Sequence, residues 1–378
     1  MINGERVRQV RELLNLTQAE LANKINVKQA AIARIESGAL TPSESLIQTL
    51  AFATGFPVEF FHKDDGPEFP LGSLLFRAHA TATVRSRTEA YRYAQFAFEI
   101  AQALAPRVNS PRLKLPRLSE SPTVAAAITR AQLGLAPETP IPNLVKAAEL
   151  AGVLILNLPV ELAHRDAFSL WVGERENATP VICVSGGKPG DRRRWSVAHE
   201  LGHLVMHHAL HGQLAVIEQE ANSFAAELLL PEAAMLREIS PPVSLLSLSR
   251  LKPRWKVAIQ ALVRRCQELQ IISRRQYTYL FEQIGARGWR LREPANLDVP
   301  IERPRGLRKM AELLYGVPID YAKFARDLCL PLAWTRAILE AHAEKNEFAD
   351  KKRLPVLVSL KRARDAGGER SLAVESPK

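Results

Sequence analysis

The first forty residues combine short apolar stripes with helix-capping residues, a pattern typical of several small packed helices. Val7, Val10 and Leu13 recur at helical spacing and predict a first amphipathic helix. Thr17, followed three residues later by Glu20, has the sequence of a capping box, which stabilises the start of a helix. The pattern therefore predicts a second helix immediately after the first.

A tight turn separates this second helix, predicted over residues 18–25, from a third over residues 28–36. Asn26 lies in the turn, where left-handed backbone is required and Asn is the best substitute for Gly. Ile32 and Ile35 supply the buried side of the third helix. Two short helices joined in this way form a helix-turn-helix motif, which places its second helix in the major groove of DNA.

Further along the chain the pattern changes from helical to strand-like and back. A helix is expected around residues 88–104, followed by a proline-rich loop, and then two helices over residues 123–151. Runs of β-branched and apolar residues come next. They predict strands at residues 153–158, 167–172 and 179–185. The pattern therefore predicts a small sheet before the next helix.

The stretch Val197–Leu204, with the sequence VAHELGHL, sets two imidazoles and one carboxylate at helical spacing. His199 and His203 are four residues apart, so on a helix they lie on one face and can bind a single metal ion. Glu200 stands beside them, where a general base is needed. The spacing predicts a helical zinc peptidase site.

A catalytic zinc site needs a third protein ligand and an open position for water. Candidates lie at the start of a predicted helix that Pro231 ends. Glu218 lies on the apolar stripe of this helix, so we expect it to be buried and to need a metal as its partner. Glu220 is the rival ligand. Asn222 is placed to hydrogen-bond a ligating imidazole.

The runs RRRWSVAHELGHLVMHH and EQEANSFAAELLLP resemble the ImmA/IrrE family of metallopeptidases, whose pattern is HELGH, a trailing His, and then E-x-x-A-N-x-F-A-x-x-L-L-x-P. The resemblance implies that His199, His203 and Glu218 bind one zinc ion. It also implies that Glu200 is the general base and His207 the trailing histidine. Members of this family cut repressors or related regulators at a single peptide bond.

The segment LTQAELANKINVKQAAIARIESGALTPSESLIQTLA resembles the XRE, phage-repressor-like helix-turn-helix family. The resemblance implies that Gln29 and Arg34 read base edges and that Gln18 contacts the DNA backbone. Lys28 is placed to neutralise a phosphate. Ala30 replaces the polar residue usual at its position, which leaves fewer groups to read base edges.

Charge favours an anionic partner, because the chain carries 51 Lys/Arg against 40 Asp/Glu. Residues 1–64 are nevertheless neutral, with seven of each, so the basic excess lies elsewhere; residues 65–118 and 351–378 are both basic. Three widely spaced cysteines favour a reducing compartment. We expect no signal peptide and no membrane span, and hence a cytoplasmic protein.

These observations predict an α+β fold that is mostly helical. We expect an all-α helix-turn-helix domain at residues 1–65, a linker helix and Pro-rich loop at 66–118, and a zincin-like peptidase domain with a small sheet and a helical extension at 119–295. Residues 296–378 form a helical C-terminal region of unknown role that ends in a disordered tail. Two stretches, starting at Ser244 and Ser273, have the look of a second helix-turn-helix, although short helices are common in all-α packing.

Two hypotheses of function follow. In the first, the chain binds a double-stranded DNA operator and cleaves a repressor or antitoxin, with Glu200 taking the proton of a zinc-activated water; homodimer formation is left open. The oxyanion-stabilising group is left open among His207, His208 and His211. The alternative is a transcription factor whose peptidase-like domain senses a metal or small ligand without turnover.

Overall fold

Helices dominate the fold, and one small sheet lies among them. The computed structural model describes residues 2–67, 69, 84–159, 166–173, 177–207 and 213–343. Met1–Ala343 forms one unit, and the predicted disordered tail lies outside the described residues from residue 344 onward. The prediction of a mostly helical α+β fold is confirmed. Within the described ranges, no helix is both long enough and apolar enough to cross a membrane.

The N-terminal half begins with four short helices, followed after a 3-10 turn by a long helix and two further short ones. They are α1 (Gly4–Leu13), α2 (Gln18–Lys24), α3 (Gln29–Glu36), α4 (Glu44–Thr54), α5 (Val84–Leu104), α6 (Pro122–Gln132) and α7 (Leu144–Leu150). The three strands, β1 (Leu154–Leu158), β2 (Ala167–Val172) and β3 (Thr179–Ser185), come next and agree with the predicted positions.

The second half of the chain is entirely helical in its described part, apart from one 3-10 turn at Ala295–Leu297. Its helices are α8 (Gly190–Met206), α9 (Leu214–Leu229), α10 (Glu232–Glu238), α11 (Leu245–Trp255), α12 (Ile259–Glu268), α13 (Arg274–Ala286), α14 (Gly306–Tyr315), α15 (Tyr321–Asp327) and α16 (Leu332–Ala341). Ser244 and Ser273 cap α11 and α13. Because α12 lies between those two helices, the two stretches are not the consecutive helices of one motif.

The helix-turn-helix forms as its capping residues predict. Thr17 and Glu20 make both hydrogen bonds of the capping box at the start of α2. Asn26 has a φ of 54°, the left-handed conformation expected in the turn. Lys28 is the N-cap residue of α3, and Ile32 and Ile35 are buried beneath it.

Helix α5 is joined to the helix-turn-helix by ion pairs and aromatic packing. Arg6, almost fully buried, pairs with Glu99 of α5 at 2.7 Å. Arg92 of α5 donates to Glu12 of α1 at 2.7 Å. Salt bridges this sheltered are costly to break, because removing one partner leaves a buried charge unpaired. The helix therefore packs as part of the N-terminal core.

The sheet has the order β1-β3-β2, with β1 parallel and β2 antiparallel to the central β3. Side chains alternate between its two faces. Leu156, Phe168 and Leu170 belong to the core shared with α5 and the C-terminal helices. Ile155 and Ile182 belong to the core that contains α8 and α9. The sheet is thus buried on both faces, and one of them supports α8.

Close packing fixes α8 against α9. A Cβ atom at Gly202 would lie 3.0 Å from the ring of Phe224, so the glycine in the HELGH sequence allows α9 to approach. The start of α8 is held by Asp191, which accepts from the buried Lys252 at 2.5 Å, and Lys252 also donates to Glu293 at 2.6 Å. These contacts hold α8 between the sheet and α9.

The C-terminal helices α15 and α16 repeat the spacing of α2 and α3. In both pairs a capped seven-residue helix is followed by a turn whose middle residue is left-handed, Asn26 at 54° and Cys329 at 53°. The residues of α16 that correspond to Gln29, Ala30 and Arg34 are Leu332, Ala333 and Ala337. Trp334 of α16 is buried and packs on Phe96 of α5. The second pair therefore has the spacing of the motif but apolar residues at the three positions that correspond to Gln29, Ala30 and Arg34.

Candidate metal centre and DNA-reading helix

Three donor groups converge where α8 crosses α9. The Nε2 atoms of His199 and His203 are 3.0 Å apart. Carboxylate oxygens of Glu218 lie 3.2 Å from His199 Nε2 and 3.5 Å from His203 Nε2. One ligand atom from each residue lies within 4.8 Å of the other two, and these three are the only residues of the described ranges grouped in this way. Two imidazoles and a carboxylate match the ligands of a catalytic zinc site.

Asn222 fixes the orientation of the first histidine. Its Oδ1 lies 3.2 Å from Nδ1 of His199, and its Nδ2 donates to the backbone oxygen of Glu218 at 2.8 Å. Because the amide nitrogen of Asn222 donates to the backbone of Glu218, the amide oxygen is the atom that faces His199 and accepts from its Nδ1–H. When the ring is neutral, that tautomer leaves the lone pair on Nε2, the nitrogen near Glu218, where a metal ion can take it. The donor set therefore fits a bound zinc ion.

Glu220 contacts the trailing histidine and not the cluster. Its Oε2 lies 2.9 Å from Nε2 of His207, whose Nδ1 lies 3.0 Å from Nδ1 of His203. The three side chains form a chain of hydrogen bonds that ends on a candidate ligand. Ligating imidazoles are commonly oriented by such outer contacts. His208 and His211 lie outside the described residues.

Electrostatics in the cluster favour a cation. Hydrogen bonds from His199 and His203 hold the pKa of the Glu218 carboxyl well below its usual range. Burial opposes protonation of His199, but its hydrogen bond to Glu218 and the charges of Glu200 and Glu218 outweigh burial and raise its pKa. The Glu218 side chain is 35% exposed, so the expectation that it would be buried is wrong. Its position near the start of α9 leaves it open to solvent.

The carboxylate of Glu200 lies against the sheet. Glu200 is 5% exposed, and Ser169 of β2 donates to its Oε2 at 2.5 Å. Trp171, two residues further along the strand, donates from Nε1 to the backbone oxygen of Leu204 at 3.0 Å. Ser169 was not among the residues predicted from the sequence. The signal was one polar residue in the otherwise apolar strand AFSLWV.

The predicted DNA-contacting residues lie at the start of α2, at the N-cap of α3 and along α3. Gln29 donates to Gln18 at 2.7 Å, and Gln18 donates to Glu36 at 2.8 Å. Lys28 and Arg34 are exposed, and neither has a carboxylate within salt-bridge distance in the described part of the chain. The hydrogen bonds hold Gln18 and Gln29 together, while the two cations remain open to an anionic ligand.

The fold and the site together define a class of protein, a DNA-binding helix-turn-helix domain joined to a metallopeptidase-type domain. Two known protein families match these two domains. Residues 7–61 match the family described as helix-turn-helix, and residues 148–267 match the IrrE N-terminal-like domain. The chain is therefore a fusion of an XRE-type helix-turn-helix domain with an ImmA/IrrE-like domain, as both resemblances predicted.

A search of curated proteins finds no match. Among solved structures, the chain matches Bacillus thuringiensis PlcR in complex with the peptide PapR7 and DNA, with 13% identity over 92% of this chain and 99% of that chain. The TM-score is 0.15, so this likeness carries no argument about fold or function.

Proposed function

We propose that the protein is a DNA-binding transcriptional regulator whose second domain is a zinc-dependent endopeptidase. The observation that carries the proposal is the convergence of His199, His203 and Glu218 within 4.8 Å, next to the buried carboxylate of Glu200. A site that had lost peptidase chemistry would not need all four groups. Together they supply three ligands and a general base.

The mechanism assigns one task to each side chain. His199, His203 and Glu218 would hold a zinc ion, which when bound polarises the scissile carbonyl and makes water nucleophilic near neutral pH. Glu200 takes the proton of the attacking water and delivers it to the leaving amine. Ser169 donates a hydrogen bond to Oε2 of Glu200. Oε1 is therefore the oxygen that accepts the proton from water and gives it to the amine.

Helix α3 is the DNA-reading element of the proposal. Gln29 and Arg34 are exposed on it, and Lys28 at its N-cap is free to contact a phosphate. Gln29 donates a hydrogen bond to Gln18 at 2.7 Å, so the two amides lie side by side and can contact the same stretch of DNA. Exposed Ala30 leaves room for an apolar contact with a thymine methyl group.

The substrate class follows from the presence of both domains on one chain. A protein that binds an operator is held near other regulators of the same genes, so a repressor or an antitoxin is the peptidase substrate that this arrangement favours. Both the operator and such a substrate are found in the cytoplasm, and we place the protein there.

Cleavage is tested with the purified full chain, loaded with zinc and incubated with repressors and antitoxins encoded beside its gene. Intact-mass spectrometry should show one new pair of fragments for the wild type and none for Glu200→Gln, which retains its ligands. If neither protein cleaves and zinc changes DNA binding equally in both, the domain is a non-catalytic sensor and the peptidase proposal is wrong.

A further inference from the structure

One segment of the chain carries a large excess of positive charge. Residues 244–292 hold eleven Lys/Arg and two Asp/Glu, a difference of nine, whereas the whole chain has an excess of eleven. The segment contains α11, α12 and α13, which pack on the core that includes α8 and α9. The charge is therefore attached to the peptidase-type domain and not to the helix-turn-helix.

Several of these cations are neutralised by acidic partners. Lys252 is buried between Asp191 and Glu293, and Arg265 pairs with Glu227. A second group is exposed and has no carboxylate within 4.0 Å among the described residues. This group consists of Arg250, Arg264, Arg274, Arg275, Arg287 and Arg290.

Three of the unpaired arginines lie over one stripe of α13, although only Arg274 belongs to that helix. Arg274, Phe281 and Gly285 follow each other at offsets of seven and four residues, which share a helical face. The guanidinium of Arg264, on the neighbouring α12, lies 5.9 Å from the centre of the Phe281 ring. The side chain of Arg290 folds back over Gly285, and a Cβ atom placed on this glycine would lie 3.3 Å from Nε of Arg290. The resulting row of three cations is about 16 Å long at the rise of an α-helix.

Aromatic rings lie between these cations. Tyr277 is on the same stripe, and its ring centre is 4.6 Å from that of Phe281. Both rings are partly exposed. We name the surface formed by Arg264, Arg274, Tyr277, Phe281 and Arg290 the hairpin face, because α12 and α13 are consecutive and pack together.

We propose that the hairpin face binds the phosphate backbone of duplex DNA and is a second DNA contact, separate from α3. Arginines that contact DNA phosphates displace counterions from the DNA. This binding does not depend on the base sequence. The row spans several phosphates, since duplex DNA carries one charge per about 1.7 Å of its axis. The Phe281 ring attracts the Arg264 guanidinium and holds it over the stripe.

The helix-turn-helix by itself gives a reason for such a contact. Residues 1–64 hold seven cations and seven acids, so the domain has no net positive charge to attract DNA over a distance. Sequence-independent attraction normally supplies a large share of operator affinity. The hairpin face supplies charge that the reading domain lacks, and in this respect the inference extends the proposed function. An acidic protein is the other anionic partner, and the experiment separates the two.

The test uses the full chain and a fluorescein-labelled 30-base-pair duplex of mixed sequence, with binding followed by fluorescence anisotropy from low to high salt. The hairpin variant carries Arg264→Gln, Arg274→Gln and Arg290→Gln. The control variant removes three exposed cations from other surfaces, through Lys146→Gln, Lys323→Gln and Arg326→Gln. Thermal unfolding of both variants checks their folding, and the single variant Arg274→Gln, at an exposed position, provides a milder change.

The hairpin variant should bind at least about tenfold more weakly at low salt, and the slope of log K against log salt should fall by about 2 to 3. Arg274→Gln alone should lower the slope by about 1, and the control should match the wild type. Equal affinities and slopes for the hairpin and control variants would overturn the proposal. Loss of polyglutamate binding in the hairpin variant alone, with DNA binding unchanged, would also overturn it in favour of an acidic protein partner.

This result is independent of operator recognition by α3. A mixed-sequence duplex reports the hairpin face without any base reading. Failure of Arg34→Ala to weaken operator binding would contradict the role of α3 and leave the hairpin result unaffected.

Discussion

Ser169 of β2 donates a 2.5 Å hydrogen bond to one carboxylate oxygen of Glu200 of α8. The contact crosses from the sheet to the HExxH helix and joins residues 31 positions apart. It is buried, so a water molecule does not easily replace it. The sheet therefore orients the carboxylate as well as supporting the helix.

Replacement of Ser169 by Ala should lower kcat for peptide cleavage about 10- to 100-fold, the range seen when outer contacts of a metal site are removed. Zinc content should not change, because Ser169 touches no candidate ligand. Ser185→Ala is the matched control, since Ser185 is a buried serine of β3 whose hydroxyl bonds the backbone of Asp166. Equal kcat values for the two variants would show that the Ser169 contact has no catalytic role.

The hydrogen bonds from Glu220 through His207 to His203 predict an effect on metal affinity. Glu220→Ala should weaken zinc binding about 10- to 100-fold, because His203 loses the contact that orients its ring. Glu218→Ala should weaken zinc binding much more than Glu220→Ala does, because it removes a candidate ligand. Titration with a zinc-buffered competitor measures both, with the exposed Glu232→Ala on α10 as control. If Glu220→Ala abolishes binding and Glu218→Ala does not, the rival ligand is correct.

The buried His342 predicts a dependence of stability on pH. Burial lowers its pKa to about 4, and its Nε2 accepts from the backbone of Asn157 at 2.9 Å. In the unfolded chain the pKa is near 6.5, so the unfolded state takes up the proton first as pH falls. The stability contributed by neutral His342 is present above pH 6.5 and is lost toward pH 4.

Chemical denaturation of the wild type and His342→Gln at several pH values checks this. The free energy by which the variant is destabilised should shrink by about 3 kcal/mol between pH 7.5 and pH 4, the value of a shift of this size. Other titrating groups cancel in the difference. A pH-independent difference between the two proteins is incompatible with a neutral buried imidazole.

Base reading by α3 predicts a sequence-dependent loss of affinity. Arg34→Ala should weaken binding to the operator by about 1 to 3 kcal/mol and relax specificity at one position. Lys28→Ala should weaken binding to all sequences about equally, because a phosphate contact carries no sequence information. Footprinting and anisotropy on operator and scrambled duplexes distinguish these outcomes. An unchanged Arg34→Ala footprint contradicts its role.

Local signals in the sequence were sufficient for much of the fold. The capping box at Thr17 and Glu20 and the left-handed Asn26 depend only on neighbouring residues, and the structure confirms them. The strands were predictable because each is a short run of β-branched and apolar residues between breakers. The HExxH spacing likewise depends on a single helix, so its residues could be named directly.

Contacts between distant elements were not predictable from such signals. Ser169 reaches Glu200 only because β2 packs under α8. No local sequence pattern predicts that packing. The spacing shared by the two helix pairs was hidden because Cys329 replaces the turn residue Asn26. Without an Asn or Gly at the left-handed position, the second turn lacks its usual sequence mark.

We propose above that His199, His203 and Glu218 hold one zinc ion beside Glu200. Zinc content of the purified chain, measured by mass spectrometry after saturation and dialysis, tests it directly. We predict one zinc per chain for the wild type and for Glu200→Gln, and almost none for Glu218→Ala or His199→Ala. Retention of one zinc per chain by Glu218→Ala, or the absence of zinc from the wild type, would contradict the account.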